Sequence, residues 1–88
     1  MPEATVLITN VRGLHARASA KFVTLASTLP ASIEVSKDGS TVVGTSIMGL
    51  MMLGAAKGDS IQIATSGDGA DAALASLVEL VETKFGED

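Results

Sequence analysis

The sequence predicts an α+β fold, a two-layer sandwich of helices on a largely antiparallel sheet. Three observations predict it. Stretches of alternating apolar and polar residues are interleaved with stretches of helical period, in the order β-α-β-β-α-β-α. An Asp38-Gly39 pair separates two alternating stretches, a strong signal for a tight hairpin. The chain has 88 residues, is 47% hydrophobic and has only Phe22 and Phe85 as aromatics, so it can bury one modest, aliphatic core.

Each element follows from its own pattern. Residues 4–10 (ATVLITN) are β-rich, with Val6 and Ile8 on one face. Residues 11–14, including Gly13, read as a loop. From about Ala16 the pattern turns helical: Ala18, Phe22, Leu25, Ala26 and Leu29 share one helix face, and Pro30 ends it. Residues 32–36 alternate Ile33 and Val35 with polar neighbours, and residues 41–45 form the return strand after the hairpin turn. The apolar IMGLMML segment, residues 47–53, has room for one or two helical turns. Residues 60–66 alternate Ile61 and Ile63 as a fourth strand. A Gly-Asp-Gly turn follows, where Asp68 is placed to cap the last helix and Asp71 to face its positive dipole end. Leu74, Leu77, Val78, Val81 and Phe85 mark the apolar face of that helix. Residues 1–88 read as a single domain without repeats, linkers or low-complexity stretches.

Composition excludes several classes. At 18% charged residues the chain is too apolar to be disordered. With no cysteine it has neither disulfides nor thiolate zinc sites, which suits a reducing cytoplasm. The first residues lack the charged and apolar regions of a signal peptide. The longest apolar run, residues 47–56, falls well short of the roughly 20 residues needed to cross a membrane, so no membrane insertion is expected. The formal net charge of -4 argues against nucleic-acid binding, and no aromatic platform exists to stack bases. The distribution is uneven. No acid occurs between Glu3 and Glu34, whereas Arg12, Arg17 and Lys21 fall in that interval. A small positive island therefore lies on a negative body.

The only histidine, His15, lies in that island, in the segment GLHARASAKF (residues 13–22). Placed at the start of the first helix, it would stand beside the unpaired N–H groups of Ala16, Arg17 and Ala18. Such donors and the dipole's positive end bind anions, and Arg17 adds a planar fork suited to phosphate oxygens. Imidazole, with an ordinary pKa of about 6.5, is substantially neutral and nucleophilic near pH 7. A nucleophilic nitrogen next to an anion site can accept a phosphoryl group and release it again. The plain alternative is a histidine that merely caps the helix. A lone histidine with no carboxylate near it in sequence is a poor metal site, so neither metal nor other cofactor is expected.

The GLHAR core, followed downstream by SIMG, resembles the histidine-containing phosphocarrier protein (HPr) family of the phosphoenolpyruvate-dependent phosphotransferase system. The resemblance covers nearly the whole chain. It implies an open-faced β-sandwich: a four-stranded antiparallel sheet covered on one side by three helices. It implies that His15 is the residue phosphorylated, on Nδ1, with Arg17 as the phosphoryl group's partner. It also implies Enzyme I as donor and an Enzyme IIA-type domain as acceptor, and a carrier rather than an enzyme. One position departs: the family usually has proline where this chain has Ala18. Alanine keeps an N–H that proline lacks, so the helix start should survive with one more donor.

Two further features bear on partners. Ser46 precedes the short helix as a natural N-cap, and its TSIMG context resembles family members phosphorylated there by HPr kinase/phosphorylase. Residues 50–53 are all apolar and cannot all face inward from a one-turn helix. Met48 and Met51, flanked by Ile47, are expected to form an exposed docking patch, with Arg17 and Lys21 as its charged rim. Methionines are otherwise ordinary core filler. Nothing in the sequence demands a dimer, so a monomer is expected. Two rival readings remain. One is a regulatory binding module on the same fold, in the nitrogen-related branch or acting through phosphoserine. The other is a small acylphosphatase-like enzyme, disfavoured because the only asparagine is Asn10 and no phosphate-cradling loop accompanies it.

Overall fold

The computed structural model of the chain describes residues 2–87. Strand β1 is Glu3–Leu7, helix α1 Ala16–Ala26, β2 Ser32–Lys37, β3 Ser40–Val43, α2 Ile47–Met52, β4 Ser60–Ser66 and α3 Ala70–Glu82. A single 3-10 turn, Lys84–Gly86, follows α3. The sheet order is β1-β4-β2-β3, and every pairing is antiparallel. The three helices cover one face, giving the open-faced α+β sandwich.

Register fixes which side chains enter the core. Ile61 lies opposite Val6, and Ile63 lies between Ala4 and Val35. Because side chains alternate across a strand, Val6, Ile33, Val35, Ile61 and Ile63 all point at the helices and are buried. Gln62 and Glu3 hydrogen-bond on the opposite, open face. Phe22 from α1 and Leu77 and Val81 from α3 fill the space above the sheet. The hairpin forms as predicted: Asp38 (φ 50°) and Gly39 (φ 85°) both adopt positive φ, the pattern of a tight two-residue turn.

Several boundaries differ from the sequence reading. The first strand ends at Leu7, although Ile8 still exchanges backbone bonds with Gly58 and Asp59. Helix α1 ends at Ala26 rather than near Leu29. The Thr28 hydroxyl caps the Leu25 carbonyl, and Pro30 disfavours helical geometry at Leu29. Strand β3 stops at Val43, and Gly44 presses so closely on Ile33 that a Cβ there would collide with its side chain. Asp68 does not cap α3. Gly69, at φ 67°, occupies the N-cap position with no side-chain bond, while Asp71 does lie in the first turn. Phe85 is not on α3 either: the helix ends at Glu82, and Phe85 is buried from the left-handed turn beyond it, at φ 55°.

Candidate functional site

The loop before α1 is built to fix one side chain. Gly13 has φ +65°, and a Cβ on it would collide with the Ala55 carbonyl oxygen. That close approach lets the Leu14 N–H donate to Ala55 O at 2.9 Å while the Leu14 side chain enters the core. Asn10, fully buried, donates from Nδ2 to Gly13 O at 2.8 Å and pins the loop from the other side. Ser19 Oγ donates to Leu14 O, and the Ser19 N–H closes the first helical turn on His15 O at 2.9 Å. His15 is left as the N-cap residue, with extended backbone at φ −77°, ψ −179°.

The imidazole is held at both nitrogens. Nδ1 accepts from the Arg17 backbone N–H at 3.3 Å. Nε2 lies 2.9 Å from Glu87 Oε2. An acceptor at Nδ1 and a carboxylate at Nε2 together assign the Nε2–H tautomer when the ring is neutral. The His15 side chain keeps 21% of its surface accessible, enough for a donor group to reach it.

The positive island of the sequence converges here. Arg12, Arg17 and Lys21 line an open cleft of about 600 Å³ together with Val11, Gly86 and Glu87. Arg17 and Ala16 are exposed, whereas the Ala18 side chain is buried in the core. All three contribute first-turn N–H groups to the helix start. Lys21 is exposed, but its ammonium donates to Phe85 O at 2.7 Å, so it anchors the C-terminal turn as well as lining the cleft.

Glu87 is the residue that the sequence reading missed. It lies 72 positions from His15 and enters the island that has no acid of its own. Partial burial pushes its carboxyl up, but hydrogen bonds from Asn10 and His15 and the charge of Lys21 outweigh this and hold it below the ordinary carboxylate range. Asn10 is the second omission. It had counted only as evidence against hydrolase chemistry, yet Nδ2 bridges Gly13 O and Glu87 Oε1. Both partners are acceptors, so the orientation of the amide is unambiguous. Among the described residues, no three histidine, cysteine or carboxylate side chains gather as a metal site would require.

The other predicted residues lie on α2 and its cap. Ser46 Oγ accepts from Gly49 N–H at 3.0 Å and caps the helix. Leu50 and Leu53 turn inward, while Ile47, Met48 and Met51 are exposed. Met52, which the sequence reading left out, is the most exposed of them at 80%. Helix α2 packs beside α1, so the apolar patch and the helix carrying Arg17 belong to neighbouring elements.

A family model described as "PTS HPr component phosphorylation site" matches residues 2–83. The chain belongs to the HPr family. HPr of Pseudomonas aeruginosa is 44% identical over 88 residues, 99% of this chain and 98% of that protein. A phosphocarrier protein named NPr, from Shewanella violacea, is 40% identical over 85 residues, 97% of this chain and 93% of its own. Among solved structures, HPr of Thermoanaerobacter tengcongensis superposes with a TM-score of 0.95 at 44% identity, covering 100% of this chain and 99% of that one. The fold expected of an HPr is thus the fold observed, and the family is one of phosphocarriers. No described helix is long and apolar enough to cross a membrane.

Proposed function

We propose that this chain carries a phosphoryl group on His15 Nδ1, taken from phosphorylated Enzyme I and passed to an Enzyme IIA-type acceptor. One observation supports this above the others: His15 Nδ1 points its lone pair at the first-turn N–H of Arg17. A phosphoryl group joined to that nitrogen would lie against the N–H groups of Ala16, Arg17 and Ala18, where helix geometry favours an anion. The Arg17 guanidinium adds charge-assisted bonds to its oxygens. The protein then acts as a stoichiometric carrier, a single-domain monomer of the cytoplasm. The experiment is incubation with Enzyme I, Mg²⁺ and phosphoenolpyruvate, read by intact mass. One phosphate should be gained, should be lost in acid, and should leave when an acceptor domain is added. A chain that gains no mass beside an active cognate Enzyme I is not a carrier.

The exposed α2 face serves as the docking patch in this reading, with Ile47, Met48 and Met51 at its centre and Arg17 and Lys21 at its rim. Ser46 is its regulatory site, open to HPr kinase/phosphorylase. Phosphoserine adds about −1.5 to −2 charges, which the fold tolerates at a helix start, so the effect falls on partners. Met48→Glu and Ser46→Glu place a carboxylate on this face. Both are expected to slow uptake from limiting Enzyme I about tenfold or more while the melting temperature moves by only a few degrees. Uptake at the wild-type rate in both would remove the patch and the switch together.

A regulatory role in the nitrogen-related branch is the second reading. It is favoured by the similarity to a relative named NPr and by Ala18 in place of proline. Offering the phosphorylated protein sugar-type and nitrogen-type acceptor domains side by side separates the two.

A further inference from the structure

The carboxylate that reaches His15 comes from a turn with costly geometry. Lys84, Phe85 and Gly86 have φ of 60°, 55° and 75°. Left-handed backbone is unfavourable at a lysine and a phenylalanine, whose Cβ crowds the following carbonyl. Two contacts offset that cost: Phe85 is buried, and Lys21 Nζ binds its carbonyl at 2.7 Å. The consequence is that the chain doubles back toward α1. Glu87 then meets two donors at once, Asn10 Nδ2 at 3.2 Å and His15 Nε2 at 2.9 Å. Asn10 is itself fixed by Gly13 O, the loop that sets His15. The carboxylate is therefore oriented by the loop whose histidine it contacts.

We propose that Glu87 is a positioning residue for phosphoryl transfer: it holds the proton on His15 Nε2, so that Nδ1 keeps its lone pair for phosphorus. This inference rests on the reading of His15 as the carrier. In the forward step the Nδ1 lone pair forms the new N–P bond while the donor's own bond to phosphorus breaks and its electron pair leaves with the donor. Nδ1 bears no proton, so none has to depart. Positive charge develops on the ring, whose Nε2–H remains bound to a carboxylate. In the onward step the N–P electrons return to Nδ1 and the neutral Nε2–H ring is restored. Glu87 touches neither phosphorus nor Nδ1. Arg12, Arg17 and Lys21 share the cleft with it and remain available to the phosphoryl oxygens.

Two variants test this in the full chain. Glu87→Ala removes both acceptors. Glu87→Gln keeps the size but offers one oxygen to two donors, so it cannot satisfy Asn10 and His15 together. Each is compared with wild type by nitrogen-15 spectra of the imidazole above pH 8, by the rate of phosphate uptake from phosphorylated Enzyme I, and by melting temperature. Wild type is expected in the Nε2–H form with that proton protected from solvent exchange. In both variants the protection is lost, the Nδ1–H form appears, and uptake falls about tenfold or more, the scale on which outer partners of a functional imidazole act. A wild-type imidazole spectrum in both variants overturns the proposal, whatever the rate, and leaves Glu87 as an anchor for the C-terminal turn. A wild-type chain that takes up no phosphate is a different result: it overturns the carrier reading, and the proposal falls with it.

Discussion

His15→Ala is expected to abolish acid-labile phosphate uptake, and His15→Asn to do so with the fold fully preserved. The two variants separate the roles that one side chain combines. As an N-cap, His15 accepts the Arg17 N–H at 3.3 Å. Alanine offers no acceptor there and should cost roughly 0.5–2 kcal/mol. Asparagine is among the best N-cap residues, so the helix start should remain, with stability close to wild type. Neither variant has a nucleophilic nitrogen, and no other histidine exists to substitute for it. Thermal unfolding measures the first effect, and intact mass after reaction with Enzyme I and phosphoenolpyruvate measures the second. Mass gain that persisted at the wild-type level in His15→Asn would place the acceptor elsewhere, and if the phosphate then resisted acid, a hydroxyl such as that of Ser46 would be first in line.

Phe85→Ala is expected to cause the largest loss of stability. Phe85 is one of two aromatics in the chain and is 1% exposed. Truncating a buried phenylalanine costs about 3–5 kcal/mol. Small domains of this kind hold about 5–15 kcal/mol in total, so the loss takes a large share of the margin. At about 4–8 °C per kcal/mol for a domain of this length, the melting temperature should fall by on the order of 15 °C or more. Alanine at φ 55° gives no relief, because the left-handed region disfavours any residue with a Cβ. Without the aromatic anchor the 3-10 turn should loosen, and Glu87 should lose His15 with it. A drop below about 4 °C in circular-dichroism melts would mean that Phe85 is not a core residue.

The sequence made some of this site legible and hid the rest for physical reasons. Local signals were reliable. His15 at a helix start, Arg17 within the first turn and Ser46 as a cap all depend on neighbours within a few positions, and each stands where the pattern put it. Strand β4 was read to the residue because Ile61 and Ile63 alternate cleanly between turn residues. The misread features depend on distance or on strain. Phe85 falls at helical spacing from Val81, so periodicity extended α3 through it. The helix actually ends at Glu82, and two non-glycine residues in left-handed geometry turn the phenylalanine inward. No propensity forecasts that arrangement, because packing enforces it. Glu87 was invisible for the same reason: its approach to His15 exists only once that turn is made. Asn10 looked like a lone polar residue at a strand end. Its place three residues before Gly13 was the only local signal; the fold buries it fully, and a buried amide needs partners. Asp68 failed as a cap because glycines on both sides carry the turn, leaving Gly69 to start the helix.

The central claim is that His15 Nδ1 is the nitrogen that bears phosphorus, and its most direct test is nitrogen–phosphorus coupling in the spectrum of the labelled, phosphorylated protein. The chain is labelled with nitrogen-15, phosphorylated with Enzyme I and phosphoenolpyruvate, and its imidazole recorded before and after. Phosphorus coupling at Nδ1, with the proton retained on Nε2, is the predicted result. Coupling at Nε2, the nitrogen now facing Glu87, or none at either nitrogen of a protein that has gained phosphate mass, would contradict it.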